Sequence, residues 1–249
     1  MASGIKAQFG TMGKPLNAGL AARTGVEAAL WAQAGMTAAP EALEGPLGFG
    51  PTHHGADAEV KLPKKDWQIS SISHKFHACC HGLHATLEAL AGADVAPDRI
   101  AGVKIRTHPR WMSVCNTPAP KTGLEVKFSY AHTAAMALLG HDTGNTENFT
   151  DAVARNKDIC ALRDKVEVTE DAALSEMQAQ VTLTLETGEV RRLRHDLDAP
   201  MSLEARSDKL RKKVQGLLDA PQEEALWNAV IGPELDAVTA CFAGMPPKA

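Results

Sequence analysis

Residues 73–84 read SHKFHACCHGLH, which gathers His74, His77, His81 and His84, the pair Cys79–Cys80, and Lys75 into twelve positions. Imidazole moves protons near neutral pH, thiolates and imidazoles ligate soft metals, and an ammonium holds anions. On one continuous helix the three-, four- and three-residue spacings would put all four histidines on one stripe. His77 and His81, four apart, could then share a zinc ion. Two features weigh against a metal. The segment is expected to change from loop to helix near Ala78, which breaks the stripe, and no H-E-x-x-H or paired C-x-x-C accompanies it. The alternative is the rim of an anion-binding cleft, where cations and proton carriers gather because the ligand is negative. Cys79 and Cys80 point to different sides of any regular element, and thiols without a ligand set usually serve as small apolar core groups.

Composition narrows the function classes. The chain has 249 residues, 26 Lys and Arg against 30 Asp and Glu, and 4% aromatic residues. Balanced charge and few rings argue against a nucleic-acid surface. No apolar run reaches the roughly 18 residues of a membrane span, and the N-terminal stretch has no signal-peptide core. Five cysteines, an odd number in a long chain, do not form a disulfide framework, so a cytoplasmic location is expected.

The elements that must position these residues alternate in period. Asn17 to Met36 carries Ala, Leu and Val at helical spacing and is expected to bury that face, stopping near Gly35. A short helical turn follows Pro40, and the Gly- and Pro-rich stretch 46–67 reads as a loop or boundary. Helical spacing returns at 79–91. Strands are expected at DRIAGVKIRTH and at 165–171, and as a hairpin around Thr187–Gly188, with helices near 129–139 and 149–163 between them. Helices resume from Met201 to Phe242, with Ser202 a plain N-cap candidate. The basic run RRLRH, 191–195, reads as the solvated face of the hairpin. The pattern is α+β, with helical segments on either side of a mixed insert.

Several stretches resemble the 2-methylcitrate dehydratase (MmgE/PrpD) family. GTMGKPLNAGLAA followed by EGPLGF is similar to the family's G-T-M-x-K-P-L-H-A-G-x-A-A and E-G-x-x-G-F segments. HKFHACCHGLH resembles its K-x-Y-P-C-C-x-x-x-H stretch, PKTGLEVKFSY its P-x-T-x-x-E-A-K-F-S-L-P-Y segment, and FTDAVARNKDICALRDKVEV its next helix and strand. The resemblance implies an all-helical main domain, discontinuous and only partly present, with a smaller α/β lid domain inserted. On that reading 1–68 and 201–249 belong to the helical domain and 69–200 to the lid. It also implies that Met1 falls near the middle of the family's chain, so that this chain is a C-terminal half, either homo-oligomeric or working with a complementary N-terminal chain.

The resemblance further implies metal-free, cofactor-free lyase chemistry on a di- or tricarboxylate. Such chemistry uses cations to hold carboxylates and a base to take a proton from the carbon beside one of them. Lys14 corresponds to a carboxylate clamp, Lys75 to a second clamp able to join in acid–base work, and His84 to an acid–base group. Three positions depart from the family pattern. Asn17 stands where His is usual and Cys80 where decarboxylase-like members carry His, both on the substrate-binding side. His132 replaces Tyr among the catalytic candidates. Asn cannot titrate, and His for Tyr changes reach and pKa, so the reaction itself is open to change. Two other readings remain: a non-catalytic fragment, and a metal-binding protein using the histidine cluster.

Overall fold

The computed structural model describes residues 4–54, 67, 69 and 72–243. The chain divides into two compact units, Met1–Gln8 with Met12–Ser73, and Phe9–Thr11 with His74–Ala249.

The first unit is built on helix α1, Gly13–Gln33. Pro15 sits in its first turn, where a missing N–H costs nothing. The helix ends where Gly35 turns left-handed at φ 92°. There Gly35 N donates to Ala32 O and Met36 N to Trp31 O, the paired bonds of a Schellman stop that only glycine makes without strain. The helix is present as the Ala/Leu spacing indicates, but its apolar face is not covered: none of its residues is buried. The reason is local. Among its described residues the unit offers only a turn of 3-10 helix, Lys6–Gln8, the turn after Pro40, and a short helix α2, Phe49–His54. Helix α2 lies where a loop was expected, and the rest of the Gly- and Pro-rich stretch is largely outside the described residues.

The second unit holds a four-stranded mixed sheet in the order β2-β1-β3-β4. In chain order a 3-10 turn at His81–Leu83 leads into α3, His84–Leu90, then β1, Ile100–Thr107. Five helices follow: α4 Pro109–Cys115, α5 Gly123–Val126, α6 Tyr130–Leu138, α7 Asp151–Ala154 and α8 Lys157–Arg163. Strand β2, Val166–Glu170, pairs parallel to β1, the connection that requires a crossover of this length. Strands β3, Gln178–Leu185, and β4, Val190–Asp196, form the expected hairpin, with Gly188 at φ 84°. Helices α9 Leu203–Gln215, α10 Ala220–Ile231 and α11 Leu235–Phe242 close the chain. The α+β class expected from the sequence is thus present, as eleven α-helices and one sheet among the described residues.

Alternation explains which face of the sheet is covered. Val103, Ile105 and Thr107 of β1 and Ala179, Val181, Leu183 and Leu185 of β3 are buried, while their neighbours face outward. Helix α3 packs across β3 and β4 and against α6. All of its residues except Glu88 are buried. Leu83, Leu87, Tyr130 and Met136 join the strand residues in one core. The short helices are held at their starts by side-chain oxygens: Thr122, Ser129, Thr150, Asn156 and Ser202 each accept a backbone N–H of the following turn. Arg192 and Arg194 of the basic run are exposed.

Candidate functional site

The histidine-rich segment enters the second unit as extended chain and bends at 77–79 before its 3-10 turn. It is stitched to its surroundings by Ala78 N to Thr143 O at 2.8 Å and Cys80 N to Lys127 O at 2.9 Å. Gly82 follows because nothing larger fits: a Cβ there would lie 2.6 Å from the Trp111 ring. Tyr130 Oη donates to Gly82 O at 2.6 Å and lies 2.8 Å from Thr107 Oγ1. The α-helix therefore starts only at His84, so the four histidines share no helical stripe. Tertiary packing nevertheless gathers three of them. The His84 ring is 5.1 Å from that of His77, edge to face, and 5.2 Å from that of His81.

The electrostatics of this cluster are uneven. His84 is fully buried, neither ring nitrogen meets a hydrogen-bond partner at good geometry, and the Cys79 backbone nearby acts only weakly to raise its pKa. Burial, reinforced by His77, His81 and Lys75, pushes its pKa down to about 2, so the imidazole is neutral. Burial also lowers His81, helped by Lys75. Lys75 Nζ donates to Cys79 O at 3.1 Å, which leaves two of its N–H groups for a ligand. Burial pushes the Cys79 thiol up to about 12, so it is no nucleophile.

His77 is held from two sides. Nδ1 lies 2.7 Å from Thr143 Oγ1, and Nε2 lies 3.3 Å from Glu88 Oε1. Glu88 also pairs with Lys209 of α9. Burial would raise the Glu88 pKa, but His77 and Lys209 pressed against it prevail and hold it at about 2. His77, Glu88 and Lys209 line a cleft of about 440 Å³ together with Lys213 and the loop Gly140–Gly144.

Residues 77–231 match the MmgE/PrpD C-terminal domain. The chain belongs to the MmgE/PrpD family. Comparison with curated proteins gave no match. The matched MmgE/PrpD domain takes in the sheet, the helices around it and every member of the histidine–glutamate–lysine cluster. Lys14, Asn17 and Lys75 precede it.

The residues singled out from the sequence fall into three places. Lys14 and Asn17 lie in the first two turns of α1, in the first unit, with the Asn17 side chain closely packed on Gly4. Lys75 and His84 are both in the second unit, the first exposed and the second buried, near enough for the Lys75 charge to lower the His84 pKa. Cys80 and His132 are in its core. The Cys80 thiol sits against that of Cys115, and this contact, then burial, raises the Cys115 pKa. His132 is wholly buried and its Nε2 lies 3.2 Å from Val153 O. Burial lowers its pKa, Val153 works against this, and Arg163 adds to it. Sequence reasoning missed Glu88 and Lys209. Glu88 carried a signal, four residues after His84 on one helix. Lys209 carried none, being 121 residues from its partner. Among the described residues no three His, Cys, Asp or Glu side chains are grouped as metal ligands.

Proposed function

We propose that this MmgE/PrpD-family chain is, or forms part of, a hydro-lyase acting on a small di- or tricarboxylate. The observation that carries the reading is a neutral, unpartnered His84 beside Lys75, an ammonium with donors to spare. Lys75 holds one substrate carboxylate. His84 takes the proton from the adjacent carbon, a carbon–carbon double bond forms as the C–O bond breaks, and the β-hydroxyl leaves as water with a proton given up by the Lys75 ammonium. A carboxylate drawn in beside His84 favours its charged form, so the substrate itself makes the base stronger. For Lys14 and Asn17, on α1 of the first unit, a substrate-binding role rests on the family resemblance alone. Cys80 and His132, inside the core, act as positioning residues.

The test is proton exchange at carbon. The chain is incubated in deuterated water with citrate, 2-methylcitrate, cis-aconitate or itaconate, and deuterium uptake and alkene formation are followed by NMR. One acid should exchange, with His84→Asn slower by about a hundredfold or more and Lys75→Ala binding more weakly. The reading is overturned when no acid exchanges and none raises the melting temperature, since a ligand bound only by the folded state must raise it.

A partner chain is part of the proposal because of α1. Leu16, Val26, Leu30 and Trp31 are all exposed on one broad face, and an apolar helix face of this kind belongs against a neighbour. We propose that a second copy or a complementary helical chain covers it. The five unpaired cysteines suit a reducing compartment such as the cytoplasm. No described helix is long and apolar enough to cross a membrane.

A further inference from the structure

The cleft under α9 is a second feature, which neither Lys75 nor His84 lines, although His77 on its wall touches the His84 ring. Lys209, Lys212 and Lys213 lie at i, i+3 and i+4, so one helical face brings three ammoniums to the same wall. Like charges so placed repel, and α9 has no buried residue to offset this. It is tied down by polar contacts instead, Lys209 to Glu88 and Lys213 Nζ to Gly144 O at 2.7 Å.

The counter-charges run short. Glu88 is taken up by Lys209 and His77. Asp142 turns one carboxylate oxygen to Gly144 N at 2.8 Å. Lys213 meets a carbonyl rather than a carboxylate; burial lowers its pKa, Lys127 and Lys75 add to this, and Cys79 and Asp142 work against it. Lys212 is exposed and has no carboxylate partner among the described residues. Three lysines thus face two carboxylates already engaged, with His77 and His141 alongside.

We propose that this cleft binds a small, multiply charged oxyanion, held by Lys212 and Lys213 and bordered by the Glu88-anchored His77. The ligand supplies the missing negative charge and fastens α9 to the sheet unit. The site goes beyond the lyase reading and holds for a chain that turns nothing over.

The test uses the full chain at low salt, with citrate and inorganic pyrophosphate titrated separately by calorimetry. Histidine-ring NMR signals are followed in parallel. At least one anion should bind at a single site, and the one that binds tells carboxylate from phosphate chemistry. The His77 ring signals should move and those of His132 should not. Lys212→Glu should weaken binding about tenfold, equivalent to about 1.4 kcal/mol. It should not lower the ligand-free melt, because it relieves the repulsion among the three lysines. Lys121→Glu, the same charge change at another exposed lysine, should have no effect. Failure of both anions to bind overturns the site, as does equal binding by Lys212→Glu and Lys121→Glu. Carbon-bound proton exchange without binding that depends on Lys212 would keep the lyase and remove this site. The reverse result would keep the site and remove the lyase.

Discussion

His84 and Glu88, four residues apart on α3, both meet acid with depressed pKa values for different reasons. His84 is neutral because it is buried. From its ordinary 6.5 down to about 2 the unfolded chain holds a proton there that the folded chain refuses. Its contribution to stability is complete above pH 6.5 and is lost as pH falls. Glu88 is ionised because His77 and Lys209 hold it so, and its contribution is complete above its ordinary 4.5 and is lost toward about 2. Stability should therefore decline in two stages: below 6.5 His84 contributes about 1.4 kcal/mol per pH unit, with His81, His132 and His195 adding to it, and below 4.5 the fall is steeper. Urea titrations at successive pH values check this. His84→Gln should reduce the first-stage slope, leaving the part due to His81, His132 and His195, and spare the second, whereas an unchanged slope between 6.5 and 4.5 would show that His84 is not buried neutral. Of the two residues, only His84 was legible as a functional candidate. Glu88 looks like any polar residue on an amphipathic helix until its partner arrives from α9.

Element boundaries here are set by contacts that periodicity does not contain. A helix was expected from 79 onward, yet the α-helix starts at His84, because Cys80 N is bonded to Lys127 O and Gly82 is clamped between Trp111 and Tyr130. Gly82→Ala forces a methyl into the Trp111 ring. It should destabilise the chain by about 1–3 kcal/mol, lowering the urea midpoint with little change in slope, and should displace the His77–His81–His84 cluster. A neutral outcome would mean that the turn has room to shift. Strands and hairpin followed the alternation read from the sequence, and Ser202 caps α9 as its side chain predicts, accepting Ala205 N at 3.1 Å. Helices α4 and α5 were not foreseen.

At the scale of the molecule the two units differ in what they bury. The sheet unit has a continuous core, while the buried positions among the described residues of the first unit are Gly45 and Gly48 alone. Amides of residues 14–33 should then exchange with solvent far faster than those of β1 and β3 in dilute protein, since local opening is easy where few apolar contacts resist it. They should slow as concentration rises or once a covering chain is added. Hydrogen exchange read by mass spectrometry at two concentrations decides it, and equal protection of α1 and β1 in the dilute monomer would remove the need for a partner. The sequence by itself determined the α+β class, the strands and their hairpin, most helices, the family, and the histidine-rich segment as the place to look, because periodicity, turn residues and motifs are local properties of the chain. Only the tertiary structure decided that His84 is buried neutral, that Cys80 and His132 are core residues, and that Glu88 and Lys209 meet beside His77. Burial and charge pairing are set by residues far apart along the chain, and no spacing records them.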